Sequence, residues 1–140
     1  MGRYKFHPRL QLPNLHELQA LGYIVGFKSE IGVWRNYTFT FNLTQQDIGG
    51  EKVETDFSKY KIRIEYYTTL PPKIFIVEPE IEKGIHRYKD GSLCLYHPNN
   101  FKWGDDMSIS HDLLPWVYMW IYYYEIWLKT GKWYGEEYKH

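Results

Sequence analysis

Residues 37–44 read Tyr-Thr-Phe-Thr-Phe-Asn-Leu-Thr, an unbroken alternation of apolar and polar side chains. Tyr37, Phe39, Phe41 and Leu43 share one side, and Thr38, Thr40, Asn42 and Thr44 share the other. A period of two is the period of an extended chain. It fits a strand with one face against a core and one toward water, and it does not fit a helix. A strand of this kind cannot satisfy its backbone alone, so it requires partners, and the following sequence supplies them. Tyr60, Ile62, Ile64 and Tyr66 alternate with Lys61, Arg63 and Glu65, and "KIFIVEP" (Lys73 to Pro79) is apolar on both faces. The connections are "TQQDIGGEKVETDF", a polar loop with Gly49-Gly50, and the turn "TTLPP". Neither holds a crossover helix, so the three strands form an antiparallel meander. "YIVGFKSEIGVW" upstream is consistent with one further edge strand.

Helices flank this sheet. "NLHELQALG" reads as a short one: Asn14 caps it, Glu17 completes a capping box, Leu15, Leu18 and Leu21 share a side, and Gly22 ends it. The most apolar segment is Leu113 to Leu128, interrupted by Pro115 and Glu125 and rich in tyrosine. It is shorter than the about 20 apolar residues that a membrane span needs, and so reads as a buried helix. Pro115 is tolerable in a first turn, or at a kink after a short turn from Asp106. Leu113, Trp116, Trp120, Tyr124 and Trp127 follow one helical face and are expected to pack on the sheet. Gly131 and the glycine at 135 are expected to end the ordered helical region. The expected class is α+β, a single domain over residues 1–140: an antiparallel meander, an irregular segment from Glu80 to Trp103, and a long C-terminal helix packed on one face.

Charge and composition narrow the function classes. Seventeen basic residues balance seventeen acidic ones, which gives no basis for nucleic-acid or anionic-membrane binding. The N-terminus has no apolar run of the secretory type. A single cysteine forms no internal disulfide, so a reducing cytoplasm is the natural setting. Fourteen tyrosines, seven phenylalanines and six tryptophans exceed the need of one small core, so part of this aromatic surface is expected to bind a partner. Neither a GxxxxGK[ST] nor a GxGxxG motif occurs, so activation of a carboxylate with ATP is not expected of this chain alone. No cofactor is expected.

The single cysteine, Cys94, lies in "HRYKDGSLCLYHP", with turn-forming residues on both sides. One reading is a small buried hydrophobe. The other is a reactive thiol in a loop over a rigid sheet, accessible and activated by basic neighbours, of which His86, Arg87, Lys89, His97 and Lys102 are close in sequence. A zinc site from His86, Cys94, His97 and His111 lacks the tight ligand pairs of such sites. A protease triad on Cys94 has little room for a substrate cleft in a chain of this size.

In this order the elements resemble the ubiquitin-conjugating enzyme fold. "YKIRIEYYTTLPPKIFIVEPEI" resembles that family's second and third strands with the intervening proline turn, and "HRYKDGSLCLY" resembles its active-site run. Trp103 stands where the family commonly has a tryptophan before its next helix. The C-terminal series Pro-Trp, Trp, Tyr-Glu, Trp, Thr-Gly, Trp-Gly in "LLPWVYMWIYYYEIWLKTGKWYGEEYKH" is similar to that of the ubiquitin-conjugating-enzyme-like proteins of bacterial antiphage operons, the CBASS type. The resemblance implies a cysteine-dependent acyltransferase of antiviral defence. Cys94 would form a thioester with the C-terminal glycine of a cGAS-like nucleotidyltransferase, or of a ubiquitin-like protein, and pass it to an amine. It leaves open a separate activating enzyme. His86 then becomes the candidate oxyanion donor or loop anchor, and His97 a candidate for tuning the thiol. One departure stands out: eukaryotic members carry His-Pro-Asn before the cysteine, whereas His86 is followed by Arg87 and Tyr88. A non-catalytic binding module of the same fold, holding its partner through the aromatic surface, is the alternative.

Overall fold

The computed structural model describes residues 20, 22, 28–31, 37–66, 72–81, 87–95 and 113–135. Four strands, β1 (Lys28–Ile31), β2 (Tyr37–Asn42), β3 (Lys61–Tyr66) and β4 (Lys73–Glu78), form one sheet in the order β1-β2-β3-β4, and each pairs antiparallel with its sequence neighbour. The register places Phe39 opposite Ile64 and Phe41 opposite Ile62, with Ile74 and Ile76 continuing the two rows on β4. Phe39, Phe41, Ile62, Ile64 and Ile74 are all buried, so the alternation seen in the sequence is the core face of the sheet. Lys73 to Glu78 departs from the expectation of two apolar faces. Val77 is the extra residue where the register shifts between Lys61 and Ile62, and it is 41% exposed. Phe75 is half-buried under the Arg63 guanidinium, which lies 4.6 Å from its ring centre.

The loop between β2 and β3 is held by specific bonds. Gly49 and Gly50 sit at φ 62° and 81°, and Ile48 and Glu51 exchange both backbone hydrogen bonds around them at 2.9 and 3.0 Å. That is a two-residue turn with both central residues left-handed, which glycine adopts without steric cost. Further on, the Gln45 amide donates to the Thr55 carbonyl at 2.7 Å and accepts from the Phe57 N–H at 2.9 Å. These bonds satisfy backbone groups that the loop itself leaves unpaired.

The C-terminal helix, α1 (Leu114–Thr130), has Pro115 in its first turn and ends at Gly131, which is left-handed at φ 74° and donates its N–H to the Trp127 carbonyl at 2.7 Å. The buried face holds Leu113, Trp120 and Tyr124 as expected, and is wider than the expected stripe. Leu114, Val117, Tyr118, Trp120, Ile121 and Tyr124 are buried, while Trp116 and Trp127 pack only partly against the core. The helix is apolar nearly all round, so its pattern does not select a face. Leu114, Val117 and Ile121 are buried together with Tyr118, Trp120 and Tyr124 in the cluster that holds the sheet's core residues. Tyr118 fastens the helix to the end of β2: its hydroxyl donates to the Thr44 carbonyl at 3.1 Å and accepts from the Thr44 N–H at 3.3 Å. Glycine 135 has a packing role beyond the helix end, because a Cβ there would stand 2.7 Å from the Tyr123 ring. Among the described residues no helix is long and apolar enough to cross a membrane. Of the predicted helix at Asn14 to Gly22, Ala20 is helical and Gly22 is left-handed at φ 82°; the rest lies outside the described residues.

A second tie joins α1 to the sheet. Tyr60, fully buried at the start of β3, donates its hydroxyl to Glu125 Oε2 at 2.7 Å, and Lys59 Nζ lies 3.5 Å from Oε1. Burial, reinforced by the neighbouring Glu125 carboxylate, pushes the Tyr60 phenol well above its ordinary range, so it remains a donor. Tyr60→Phe is expected to lower stability by about 1.5–3 kcal/mol, the net value of one hydrogen bond to a charged acceptor. Urea denaturation of the two proteins measures this, and a difference near zero would show that Lys59 alone satisfies Glu125.

Candidate active site

Within the segment expected to be irregular, residues 87–95 form a regular turn structure. Tyr88 donates its N–H to the Ser92 carbonyl at 2.8 Å and accepts the Gly91 N–H at 2.9 Å, and Arg87 bridges Leu93. Lys89, Asp90 and Gly91 are therefore the three-residue loop of a small hairpin, with Gly91 left-handed at φ 92° in the place where such loops favour glycine. Asp90 organises the turn. Its Oδ1 accepts the Ser92 N–H at 2.9 Å and the Ser92 hydroxyl at 2.6 Å, and its Oδ2 accepts Lys73 Nζ at 2.8 Å. These bonds hold the Asp90 carboxyl down at about 2, with the Lys73 ammonium the first cause. The Leu93 N–H donates to the Ile74 carbonyl at 2.9 Å, so the hairpin is also fixed to the edge of β4 through its backbone.

Cys94 follows directly. It is 4% exposed, beside buried Ser92 and Leu93. This corrects the expectation of an accessible thiol: the chain here runs against the sheet, because Leu93 is bonded to β4. Of the basic neighbours expected to activate it, only Arg87 and Lys89 are among the described residues, and the thiol pKa is raised rather than lowered. Burial pushes the Cys94 thiol up to about 11, and the Asp90 carboxylate adds to the rise. His86, His97, His111, Lys102 and Trp103 lie outside the described residues. Among the described residues, no three His, Cys, Asp or Glu side chains come together in a manner suited to a metal ion.

The thiol remains protonated in the folded chain across the range in which an unfolded thiol, near 9.0, ionises. Below that value both states carry the proton and the difference is nil. Between 9 and 11 the unfolded state binds fewer protons, so stability falls as pH rises through this window. Relative to Cys94→Ala, the protein is expected to lose at most about 1.4 kcal/mol per pH unit there. Denaturant titrations of both proteins at pH 8, 9 and 10 measure it, and parallel curves would contradict a raised thiol.

Sequence reasoning missed Asp90 and Lys73. The Asp-Gly-Ser run signals a turn, but the partner of the carboxylate lies on a different strand. The preceding backbone donors also have assignments: Gly91 N–H to Tyr88, Ser92 N–H to Asp90, and Leu93 N–H to Ile74.

The arrangement is a meander, a hairpin bonded to its edge strand, a single cysteine immediately after it, and an aromatic helix closing the core. None of the curated proteins matches the chain. The family described as type II CBASS E2 protein matches residues 33–140, a span that takes in β2 to β4, the hairpin, Cys94 and α1. The chain belongs to the type II CBASS E2 protein family.

Proposed function

We propose that this protein is a ubiquitin-conjugating-like acyl carrier of CBASS antiphage defence, with Cys94 as its nucleophile. The Cys94 sulfur attacks the activated C-terminal glycine carbonyl of a protein partner. A new C–S bond forms and the activating group leaves. An amine then attacks the thioester carbonyl, the C–S bond breaks, an amide forms, and the thiol regains its proton. A thioester suits this role because it keeps the acyl group reactive toward amines. The partner fitting this chemistry is a cGAS-like nucleotidyltransferase or a ubiquitin-like protein, with a separate enzyme supplying the activated carbonyl. His86 is the proposed oxyanion donor or loop anchor and His97 the proposed tuner of the thiol.

One observation carries the reading. The single cysteine of a chain in this family directly follows a hairpin bonded to the sheet edge, so its backbone is held on a rigid support, as a covalent nucleophile requires. The second reading, a non-catalytic binding module, draws on the burial and raised pKa of the same thiol. The discriminating experiment uses a peptide ending in glycine as its benzyl thioester. Transfer to Cys94 releases benzyl mercaptan and adds the peptide mass in a form cleaved by excess thiol. Absence of this adduct on the wild-type chain sinks the carrier reading and leaves the binding module.

A further inference from the structure

The Lys73–Asp90–Ser92 cluster stands apart from the groups proposed to react, yet it lies in the hairpin that leads into Cys94 and on the strand that hairpin is bonded to. Asp90 uses one oxygen inside the hairpin and the other across it. Oδ1 closes the turn through Ser92 N–H and Oγ at 2.9 and 2.6 Å, and Oδ2 takes Lys73 Nζ at 2.8 Å. Lys73 opens β4, and its neighbour Ile74 accepts the Leu93 N–H at 2.9 Å. The ion pair and this backbone bond therefore join the same two segments side by side, one residue apart on β4 and just ahead of Cys94. The charged residues on these segments are Lys73 and Glu78 of β4, with Arg87, Lys89 and Asp90 of the hairpin.

We propose that Asp90 is the positioning residue of Cys94: paired with Lys73, it clamps the hairpin to β4 and holds the thiol at its place on the sheet edge. This rests on the carrier reading for its functional consequence, though the clamp itself is a property of the fold. The carboxylate has a second effect of opposite sense. It stands near enough to Cys94 to disfavour the thiolate, with burial the larger cause. The residue that places the nucleophile thus also adds to the rise that burial causes, and the Lys73 ammonium offsets part of its charge.

Two substitutions separate mechanics from charge. Asp90→Asn and Lys73→Met both break the ion pair, but one removes a negative charge near the thiol and the other removes the positive charge that offsets it. The chain has one cysteine, so 13C-labelled cysteine gives one Cβ signal whose shift follows ionisation. The thiol midpoint is expected to fall in Asp90→Asn and to rise in Lys73→Met. Exchange of the Leu93 amide with deuterium is expected to accelerate about two- to fivefold in both, the scale of a solvent-exposed ion pair, the melting temperature of each being checked alongside. Acyl uptake from the glycyl benzyl thioester is expected to drop several-fold in both, even though the Asp90→Asn thiol ionises more readily. Midpoints that stay put or move in the same direction, or a Leu93 amide as protected as in the wild type, would overturn the proposal. Wild-type protein inert toward the thioester, with the midpoint and exchange changes intact, would sink the carrier reading alone. Variants that acylate at the wild-type rate would sink the positioning role alone.

Discussion

Cys94→Ser is expected to abolish acyl uptake from a glycyl thioester, with a loss of about 10^4-fold or more, the scale on which removal of a covalent nucleophile falls. A serine hydroxyl at the same place is a far weaker nucleophile than a thiol, since it ionises well above the range in which Cys94 does. Any product it formed would be an oxyester resistant to thiols, so mass spectrometry with and without excess thiol distinguishes the two. The substitution is small in volume. Burying an extra hydroxyl at a position 4% exposed costs about 1–3 kcal/mol if it finds no partner, and a melting curve on the same sample separates misfolding from lost chemistry. A Cys94→Ser protein that still carries a thiol-labile adduct would place the nucleophile elsewhere. As Cys94 is the single cysteine, that outcome would end the thioester mechanism altogether. Cys94→Ala, which lacks any nucleophilic atom, is expected to behave as the serine variant does.

Phe39→Ala is expected to have the largest effect on stability, about 3–5 kcal/mol. Phe39 is fully buried on β2, paired across the sheet with Ile64 and in the same core cluster as α1. Truncation removes the ring from the middle of that cluster, and the paired backbones of β1, β2 and β3 resist collapse into the void. That loss is a large fraction of the about 5–15 kcal/mol that stabilises a typical domain, so the variant is expected to melt well below the wild type. Circular dichroism melts and urea titration measure it. A loss under about 1 kcal/mol would show that the sheet and helix are not one core. The consequence reaches the site, because Cys94 owes its burial to a hairpin bonded to this sheet.

Much of the scaffold was legible from local pattern. The alternation at Tyr37 to Leu43 and at Tyr60 to Tyr66 determines strands and faces, because a period of two has one extended solution. Gly49-Gly50, Pro115 and Gly131 mark turns and helix ends for reasons of backbone sterics that hold wherever they occur. The stripe expected on α1 was too narrow: Trp120 and Tyr124 are buried and Trp116 and Trp127 pack partly, but Val117, Tyr118 and Ile121 are buried as well, because a helix apolar nearly all round carries no sharp periodic signal. Glycine 135 was read as a stop, whereas its close approach to Tyr123 is a contact between the helix and the chain that follows it.

The site divides along the same line. The sequence by itself determined that there is one thiol, that a turn at Asp90-Gly91 precedes it, and that the surrounding motifs resemble an acyl-carrier family. Those are properties of neighbouring residues, and neighbours are what a sequence records. Only the tertiary structure decided how the thiol stands. Cys94 lies near His86, Arg87, Lys89 and His97 along the chain, a setting that suggests a lowered pKa. Folding instead buries it and sets it beside the Asp90 carboxylate, which raises it to about 11. Lys73, which precedes Asp90 by a strand and a long connection, becomes its partner at 2.8 Å. Desolvation and charge depend on distance in space, so the protonation state of Cys94 is a property of the fold and is not written in the residues next to it.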